Sequence, residues 1–105
     1  MYTRNVSMKL KVNSAKEFTH TLENDVIPVL RKQKGFKDEI TLLAPERNEA
    51  VAISFWDKKE DAEAYNRTTY PEVQKFLARV SEGTPQVQTY EVGISTIHKT
   101  AAHAV

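Results

Sequence analysis

The chain contains no cysteine among its 105 residues. Disulfide bonds, thiolate nucleophiles, zinc fingers and iron–sulfur clusters depend on cysteine, so the sequence excludes them. Only three glycines are present, and no Gly-rich phosphate loop or nucleophile elbow occurs. This scarcity argues against a nucleotide-binding protein.

An excess of charge of one sign is also missing. The 15 basic and 14 acidic residues are interspersed and give a formal net charge of +1. Nucleic acid and anionic membranes attract clustered cations, so we expect neither as a partner. No apolar run follows the start of the chain, and none reaches the length of a membrane span. We therefore expect a cytoplasmic protein.

A hydrophobic content of 40% in 105 residues supports one domain, residues 1–105, whose core would gain from dimerisation. Residues 98–105 have no amphipathic pattern, and we expect them to form a flexible tail. His98 and His103 belong to that tail, and His20 lies on the polar side of a helical segment. The two tail histidines lie too far from any carboxylate pair to form a metal site, and we expect His20 to be a solvated surface residue and not a catalytic base.

Four segments alternate apolar and polar residues with the period of a β-strand, at residues 6–12, 36–44, 50–56 and 87–94. The third has the strongest pattern. Its large apolar side chains share one face, while small ones and the only tryptophan share the other: Val51, Ile53 and Phe55 against Ala50, Ala52, Ser54 and Trp56. The small side chains leave room above their face, and we expect Trp56 at the rim of the sheet, beside a pocket.

The first helical segment follows a capping box of Ser14 and Glu17 and runs to about Gln33. Pro28 falls inside it, where a proline removes one backbone hydrogen bond and clashes with the preceding turn. We therefore expect a kink or an early break near Ile27.

The second helical segment begins at Asp57, which is spaced for a capping box with Glu60. The pattern is interrupted at residues 68–71, where Pro71 is tolerated as the first turn of a further helix. That helix continues to about Val80. Residues 81–85 have the composition of a turn before the last strand.

The element order β-α-β-β-α-β is that of the ferredoxin-like α+β fold, with a four-stranded antiparallel sheet and both helical regions on one face. Val51, Ile53 and Phe55 then lie on the uncovered face. An exposed apolar face of this size is unusual in a monomer. We therefore expect a two-fold homodimer that packs sheet on sheet.

Several segments resemble the antibiotic biosynthesis monooxygenase family, and together they extend from about Val6 to Ile94. They are Gly35-Phe36, Phe55-Trp56, the helix start at residues 58–62, and Thr84-Pro85 with residues 90–92. The resemblance implies a dimeric α+β barrel. The family includes quinol monooxygenases, haem-degrading monooxygenases and anthrone-type oxygenases, so it leaves the reaction open.

The resemblance implies different residues for each reaction. Haem-degrading members use an asparagine on the first strand, near Asn5, a tryptophan where Tyr65 stands, and a histidine ligand. No histidine occurs between His20 and His98, so the haem ligand is missing. Quinol-type members carry an Ala-His pair, which is matched here by Ala64-Tyr65. We therefore expect no cofactor.

The remaining hypothesis is a cofactor-independent monooxygenase that oxidises a small aromatic or quinol substrate between the sheet and the helices. Tyr65 and Asn5 are the candidate catalytic residues, and Trp56, Tyr70 and Phe76 are the candidate binding residues. Such a site supplies orientation and electrostatics, while the substrate passes an electron to oxygen.

The alternative is a non-catalytic dimer that binds a small molecule or acts in stress responses, in which Trp56 and the tyrosines simply fill the core. An enclosed cavity faced by all three rings would favour the enzyme. A pocket closed by collapsed side chains would count against it.

Overall fold

Four strands form one antiparallel sheet in the order β2-β3-β1-β4, and the helices lie on one of its faces. The computed structural model describes residues 1–97. The strands are β1 (Tyr2–Leu10), β2 (Phe36–Ala44), β3 (Glu49–Trp56) and β4 (Ser81–Glu91). The helices are α1 (Ala15–Thr21), α2 (Ile27–Arg31), α3 (Lys59–Thr68) and α4 (Tyr70–Ala78). The ferredoxin-like fold is confirmed.

The bounds of β1 and β4 differ from those predicted from the sequence. β1 begins at Tyr2, four positions before the predicted start, because Tyr2 pairs with both Trp56 and Glu91. Residues 81–85 were predicted as a turn and belong instead to β4. The register between β1 and β4 shifts between Ser7 and Lys9, which accommodates the irregular residues 83–85 within the strand. β4 ends at Glu91.

The first helical region changes its winding before Pro28. A π-helical turn, Leu22–Val26, separates α1 from α2, and the Ile27 N–H donates to the Leu22 carbonyl. The wider turn precedes the ring of Pro28, which has no N–H to contribute. The irregular turn lies where a kink or early break was predicted, but the chain stays helical from Ala15 to Arg31. The predicted capping box is wrong, because the Ser14 side chain makes no capping hydrogen bond.

The second helical region starts later than predicted. α3 begins at Lys59 after the N-cap residue Lys58, and Asp57 pairs with Lys37 at 3.2 Å instead of capping the helix. The predicted interruption is confirmed at Thr69, and Pro71 lies in the first turn of α4. None of the helices in residues 1–97 is long and apolar enough to cross a membrane.

The core lies between the sheet and the helices. Strand pairing places Tyr2, Arg4, Val6 and Met8 opposite Trp56, Ser54, Ala52 and Ala50 on this face. Trp56 is the last residue of β3, as predicted, but it is 0% exposed and belongs to the core. The small residues of β3 leave a space that the indole fills together with Tyr65 of α3. Its N–H donates to Ser54 Oγ at 2.9 Å.

The opposite face of the sheet carries the other side chains of each strand. Its β2 and β3 half is apolar and its β1 and β4 half is polar: Ile40, Leu42, Val51, Ile53 and Phe55 against Asn5, Ser7, Gln88 and Tyr90. No helix of the described chain covers this face. Leu42 is 53% exposed as a result.

We predict that Gly35→Ala destabilises the fold more than Gly83→Ala, measured by urea unfolding. Both glycines have positive φ, +80° and +70°, so alanine costs about 1–2 kcal/mol of backbone strain at either position. A Cβ on Gly35 would also collide with the Asp61 side chain, whereas a Cβ on Gly83 meets no atom within 4 Å. Equal losses would show that Asp61 moves aside without cost.

Candidate functional site

Arg4 is a buried cation in the middle of the core face. It is 3% exposed. Its neighbours along this face of β1 are Tyr2 and Val6, which carry no charge. Its Nη2 donates to Asn66 Oδ1 at 2.8 Å, and it forms no ion pair with a carboxylate of residues 1–97. Burial lowers the pKa of Arg4, although arginine stays protonated in proteins. A positive charge is therefore held inside the fold without an anion.

Two tyrosine rings take the place of a counterion. The Arg4 guanidinium lies 4.4 Å from the centroid of Tyr70 and 5.0 Å from that of Tyr65, within the range of cation–π attraction. The Tyr65 ring lies 6.1 Å from Tyr70 and 5.0 Å from Trp56. The three predicted aromatic residues therefore form one cluster around Arg4.

The tyrosine hydroxyls are donors and not bases. Burial raises the pKa of Tyr65 far above its usual range, and the nearby Arg4 charge offsets this only in part. The same two effects act on Tyr70, whose pKa is also raised. Tyr70 Oη is buried beside the Arg4 guanidinium, whose hydrogen bond lowers the Tyr70 pKa in part, and the hydroxyl has no acceptor in the described part of the chain. It is free to donate to a ligand.

A small pocket of about 30 Å³ lies beside this cluster. Its polar walls are Arg4, Glu39, Ser54, Tyr65 and Tyr70, and aliphatic side chains from β1, β3 and the helices complete it. The volume holds a water molecule or a diatomic molecule but no aromatic ring. An aromatic substrate therefore has no space inside the cavity of this structure.

Glu39 closes the side of this cavity formed by β2. Its Oε2 accepts a hydrogen bond from Thr41 Oγ1 at 2.6 Å. Burial raises the pKa of Glu39, and the hydrogen bond from Thr41 offsets part of that rise. The site therefore contains a partly buried acid and a buried cation that do not form an ion pair.

An open groove of about 390 Å³ lies on the other side of Arg4. It runs between two strands and a helix, and its lining includes Tyr2, Arg4, Asn66, Arg67, Val87 and Thr89. Its volume is in the range of small-molecule sites. Among residues 1–97, Arg4 is the residue that lines both the groove and the small pocket.

The structure does not bring the other two predicted site residues to this place. Asn5 pairs with Ile53 and Gln88, so its side chain lies on the opposite face of the sheet from Tyr65. Phe76 is half-buried and lies 5.5 Å from the Arg79 guanidinium, and it lines neither the groove nor the cavity. The structure therefore places neither Asn5 nor Phe76 at the groove or the small pocket.

Two observations were expected to distinguish an enzyme from a binding protein, and in the structure they point in opposite directions. Trp56, Tyr65 and Tyr70 pack together, as the enzyme requires, but only the tyrosines line the cavity. The small volume of this pocket counts against a substrate beneath the rings. A substrate bound in the groove remains compatible with this packing.

Sequence reasoning missed Arg4 and Glu39. A signal for Arg4 was present, because the alternation of Val6, Met8 and Leu10 extends back to residue 4 and places a charge on the buried face. Glu39 gave no such signal, since either face of β2 could have been the core face.

No group of three potential metal ligands occurs within residues 1–97. His98 and His103 lie outside the described residues. His20 lies on the exposed side of α1, where its Nδ1 is 2.8 Å from Asn24 Nδ2. The described chain therefore offers no metal centre near Arg4.

No family model and no curated protein matches the chain. Solved structures do share its fold. A Bordetella bronchiseptica protein named for antibiotic biosynthesis monooxygenases aligns with a TM-score of 0.74 at 11% identity, covering 89% of this chain and 97% of its own. A Nitrosomonas europaea protein with the same family name gives 0.71 at 17% identity, covering 90% and 100%.

SnoaB, a cofactor-independent oxygenase from Streptomyces nogalater, aligns with a TM-score of 0.73 at 15% identity, covering 92% of this chain and 97% of SnoaB. A second Nitrosomonas europaea structure of comparable similarity, with a TM-score of 0.74, belongs to a protein of unknown function. The resemblance to the monooxygenase family is thus supported at the level of the fold. At such identities the reaction does not follow from the fold.

We predict that Glu39→Gln raises the free energy of unfolding at neutral pH and flattens its pH dependence. The raised pKa of Glu39 means that the folded chain binds this proton more tightly than the unfolded chain. Its stabilising contribution is therefore complete below the unfolded pKa and is lost as pH rises through the folded pKa. Urea unfolding at several pH values measures the slope.

Glu49→Gln is the control for this experiment. A hydrogen bond from Arg47 lowers the pKa of Glu49, so its contribution has the opposite sign and is lost on acidification. If Glu39→Gln leaves the slope of the parent unchanged, Glu39 is solvated and does not face the cavity.

Proposed function

We propose that the protein is a cofactor-independent monooxygenase that oxidises a small phenol or quinol bound in the groove between β1, β4 and α3. The observation that carries this proposal is Arg4, a buried guanidinium that faces the groove and has no carboxylate partner within residues 1–97. A buried cation without an anion is costly to the fold. An anionic ligand would satisfy it.

The anion needed is the reactive form of the substrate. A phenol or quinol gives up an electron to dioxygen far more readily after it has ionised. A positive charge about 4 Å from the oxygen stabilises the anion by about 4 kcal/mol at the effective dielectric of a protein surface. This corresponds to a lowering of the substrate pKa by about three. Arg4 thus favours ionisation, and the proton leaves to water in the open groove.

The reaction balances without a cofactor. The substrate anion transfers one electron to dioxygen, and the substrate radical and superoxide combine to form a carbon–oxygen bond at a ring carbon that bears hydrogen. The peroxide takes up the proton released earlier, and loss of water leaves a new carbonyl group. One oxygen atom enters the product and the other leaves as water.

The aromatic cluster holds the cation in place. Tyr65 and Tyr70 face the guanidinium, and Trp56 packs against Tyr65. Tyr70 does not line the groove, so its role is to hold the Arg4 guanidinium, and the N–H groups of Arg4 are the donors that face the substrate. Preorganised donors of this kind stabilise charge that develops during a reaction.

A binding protein without catalysis is the second candidate. The small volume of the cavity favours it, because 30 Å³ leaves no space for a ring to be enclosed away from water. In that case Arg4 binds an anionic aromatic ligand in the groove, and no oxygen is consumed.

We further propose a homodimer in which two sheets pack through their uncovered faces. The half of this face that consists of β2 and β3 carries Ile40, Leu42, Val51, Ile53 and Phe55. A second copy removes that apolar surface from water. Asn5 Oδ1, which is buried on this face without a partner in residues 1–97, would then lie within the interface.

We predict that Arg4→Met lowers oxygen uptake by about 100-fold or more, because one anion-stabilising group is removed. The assay follows dissolved oxygen with a panel of hydroquinones and anthrone-like phenols. Arg79→Met is the matched control, since Arg79 also contacts a ring, that of Phe76, but lies outside the groove. Full activity in Arg4→Met would contradict the proposal, and Trp56 quenching by the phenols without oxygen uptake would favour the binding protein.

Arg4→Met should remain folded. Removing a desolvated charge is neutral or stabilising when an apolar side chain of similar size replaces it. Thermal unfolding of the same variant therefore separates loss of activity from loss of structure.

We predict that Leu42→Glu converts the dimer into monomers, whereas Leu43→Glu does not. The two side chains are adjacent on β2 and are 53% and 42% exposed, but they lie on opposite faces of the sheet. Light scattering at micromolar concentration measures the mass. A monomeric parent protein, or equal effects of both substitutions, would reject the sheet-to-sheet interface.

A further inference from the structure

We propose that Asn66 determines which phenols the groove binds, because its neutral amide leaves the Arg4 charge available and adds a second hydrogen-bond donor beside it. The inference rests on the proposed function and names its substrate class, a catechol or another phenol with an oxygen atom on the adjacent ring carbon. Asn66 belongs to α3, lines the groove and contacts the guanidinium. A ligand anion bound by Arg4 therefore lies beside this amide.

Arg4 fixes the orientation of the Asn66 amide. Arginine can only donate hydrogen bonds, so the atom 2.8 Å from its Nη2 must be the carbonyl oxygen Oδ1. The other end of the amide, Nδ2, carries two N–H donors. Asn66 is exposed, and its side chain makes no other hydrogen bond within residues 1–97. Nδ2 is therefore available to a ligand in the groove.

The neutral charge of Asn66 matters as much as its donors. An aspartate has nearly the same shape, and at this position its carboxylate would accept the hydrogen bond from Arg4 and form an ion pair with it. The groove does contain a carboxylate, that of Glu63, one turn earlier on α3, but Glu63 forms no ion pair with Arg4. The α3 residue that contacts Arg4 therefore leaves its charge available to an anionic ligand.

The spacing of the two donors selects neighbouring oxygen atoms. Nδ2 and Oδ1 belong to one amide, so Nδ2 lies within about 5 Å of Arg4 Nη2. Two oxygens on adjacent ring carbons point in similar directions, so one can accept from Arg4 and the other from Asn66. The two oxygens of a hydroquinone point in opposite directions, and only one of them can reach this pair of donors. A catechol anion therefore gains one hydrogen bond over a hydroquinone anion.

The rest of the groove fits an aromatic ring with a single negative charge. Tyr2 and Val87 contribute apolar surface to the lining, against which a ring can pack. The charged residues of the lining are Arg4, Arg67 and Glu63, so the cations outnumber the anion. A catechol with one ionised hydroxyl has the complementary charge.

The three isomers of dihydroxybenzene test this selectivity, because they differ only in the position of the second oxygen. Calorimetry under nitrogen measures their binding without oxidation. We expect catechol to bind about tenfold more tightly than hydroquinone or resorcinol, since one additional hydrogen bond is worth about this factor. Titrations in two buffers of different ionisation enthalpy should show that catechol releases a proton as it binds. Equal affinities for the three isomers would overturn the proposal.

Asn66→Asp tests the role of the neutral amide. We expect it to weaken catechol binding by about tenfold or more and to abolish the proton release, because the new carboxylate pairs with Arg4. The same variant should unfold at a higher temperature than the parent, since the buried cation gains a counterion. A purely structural role for Asn66 would not give these opposite changes. Catechol affinity equal to that of the parent would overturn the proposal.

Asn24→Asp is the matched control. Asn24 is also exposed and lies in a helical turn, Leu22–Val26, but it does not line the groove. The same change of charge at this position should leave the affinity for catechol unchanged. An equal loss of affinity in both variants would show that net charge, and not the contact with Arg4, controls binding, and would overturn the proposal.

These outcomes separate the selectivity from the reaction. Preferential binding of catechol that Asn66→Asp abolishes, with no oxygen uptake from any phenol, would reject the monooxygenase and leave a catechol-binding protein. Oxygen uptake with equal affinities for the three isomers would reject the role of Asn66 and leave the monooxygenase. Failure of all three isomers to bind, with no oxygen uptake, would reject both.

Discussion

Burial of the Arg4 guanidinium without a counterion is the constraint on which the rest of the site depends. Moving such a group out of water costs several kcal/mol, and one hydrogen bond to an exposed amide does not offset that cost. The faces of two tyrosine rings supply the remaining attraction. They also exclude water, which strengthens every charge interaction around Arg4. The aromatic cluster is therefore best understood as the support of a cation.

The break between α3 and α4 makes that support possible. In a continuous helix, residues five positions apart point in clearly different directions, so Tyr65 and Tyr70 could not both face Arg4. Thr69 leaves the helical conformation, with φ −122° and ψ −35°, and re-aims the chain between them. Its Oγ1 donates to Gln33 Oε1 at 3.2 Å, which ties the break to the residues just after α2. The helix break at Thr69 therefore allows both tyrosine rings to contact Arg4.

Much of the fold could be predicted from the sequence, because alternation and helical spacing report which side chains are buried. The same periodicity explains the errors at the site. Neighbouring strand residues face opposite sides, so the choice of Asn5 instead of Arg4 moved the candidate from the core face to the uncovered face. The burial of Trp56 and the size of the cavity depend on packing between elements far apart in sequence. Packing between elements so far apart produces no periodic pattern in the amino-acid sequence.

The position of Arg4 also reconciles a closed core with a ligand-binding function. A cation enclosed on every side would only destabilise the fold, and a fully exposed one would be screened by water and salt. Arg4 lies between these limits, since one side of it faces an open groove and the other a cavity too small for an organic ligand. A ring can approach it from the groove while the core stays packed.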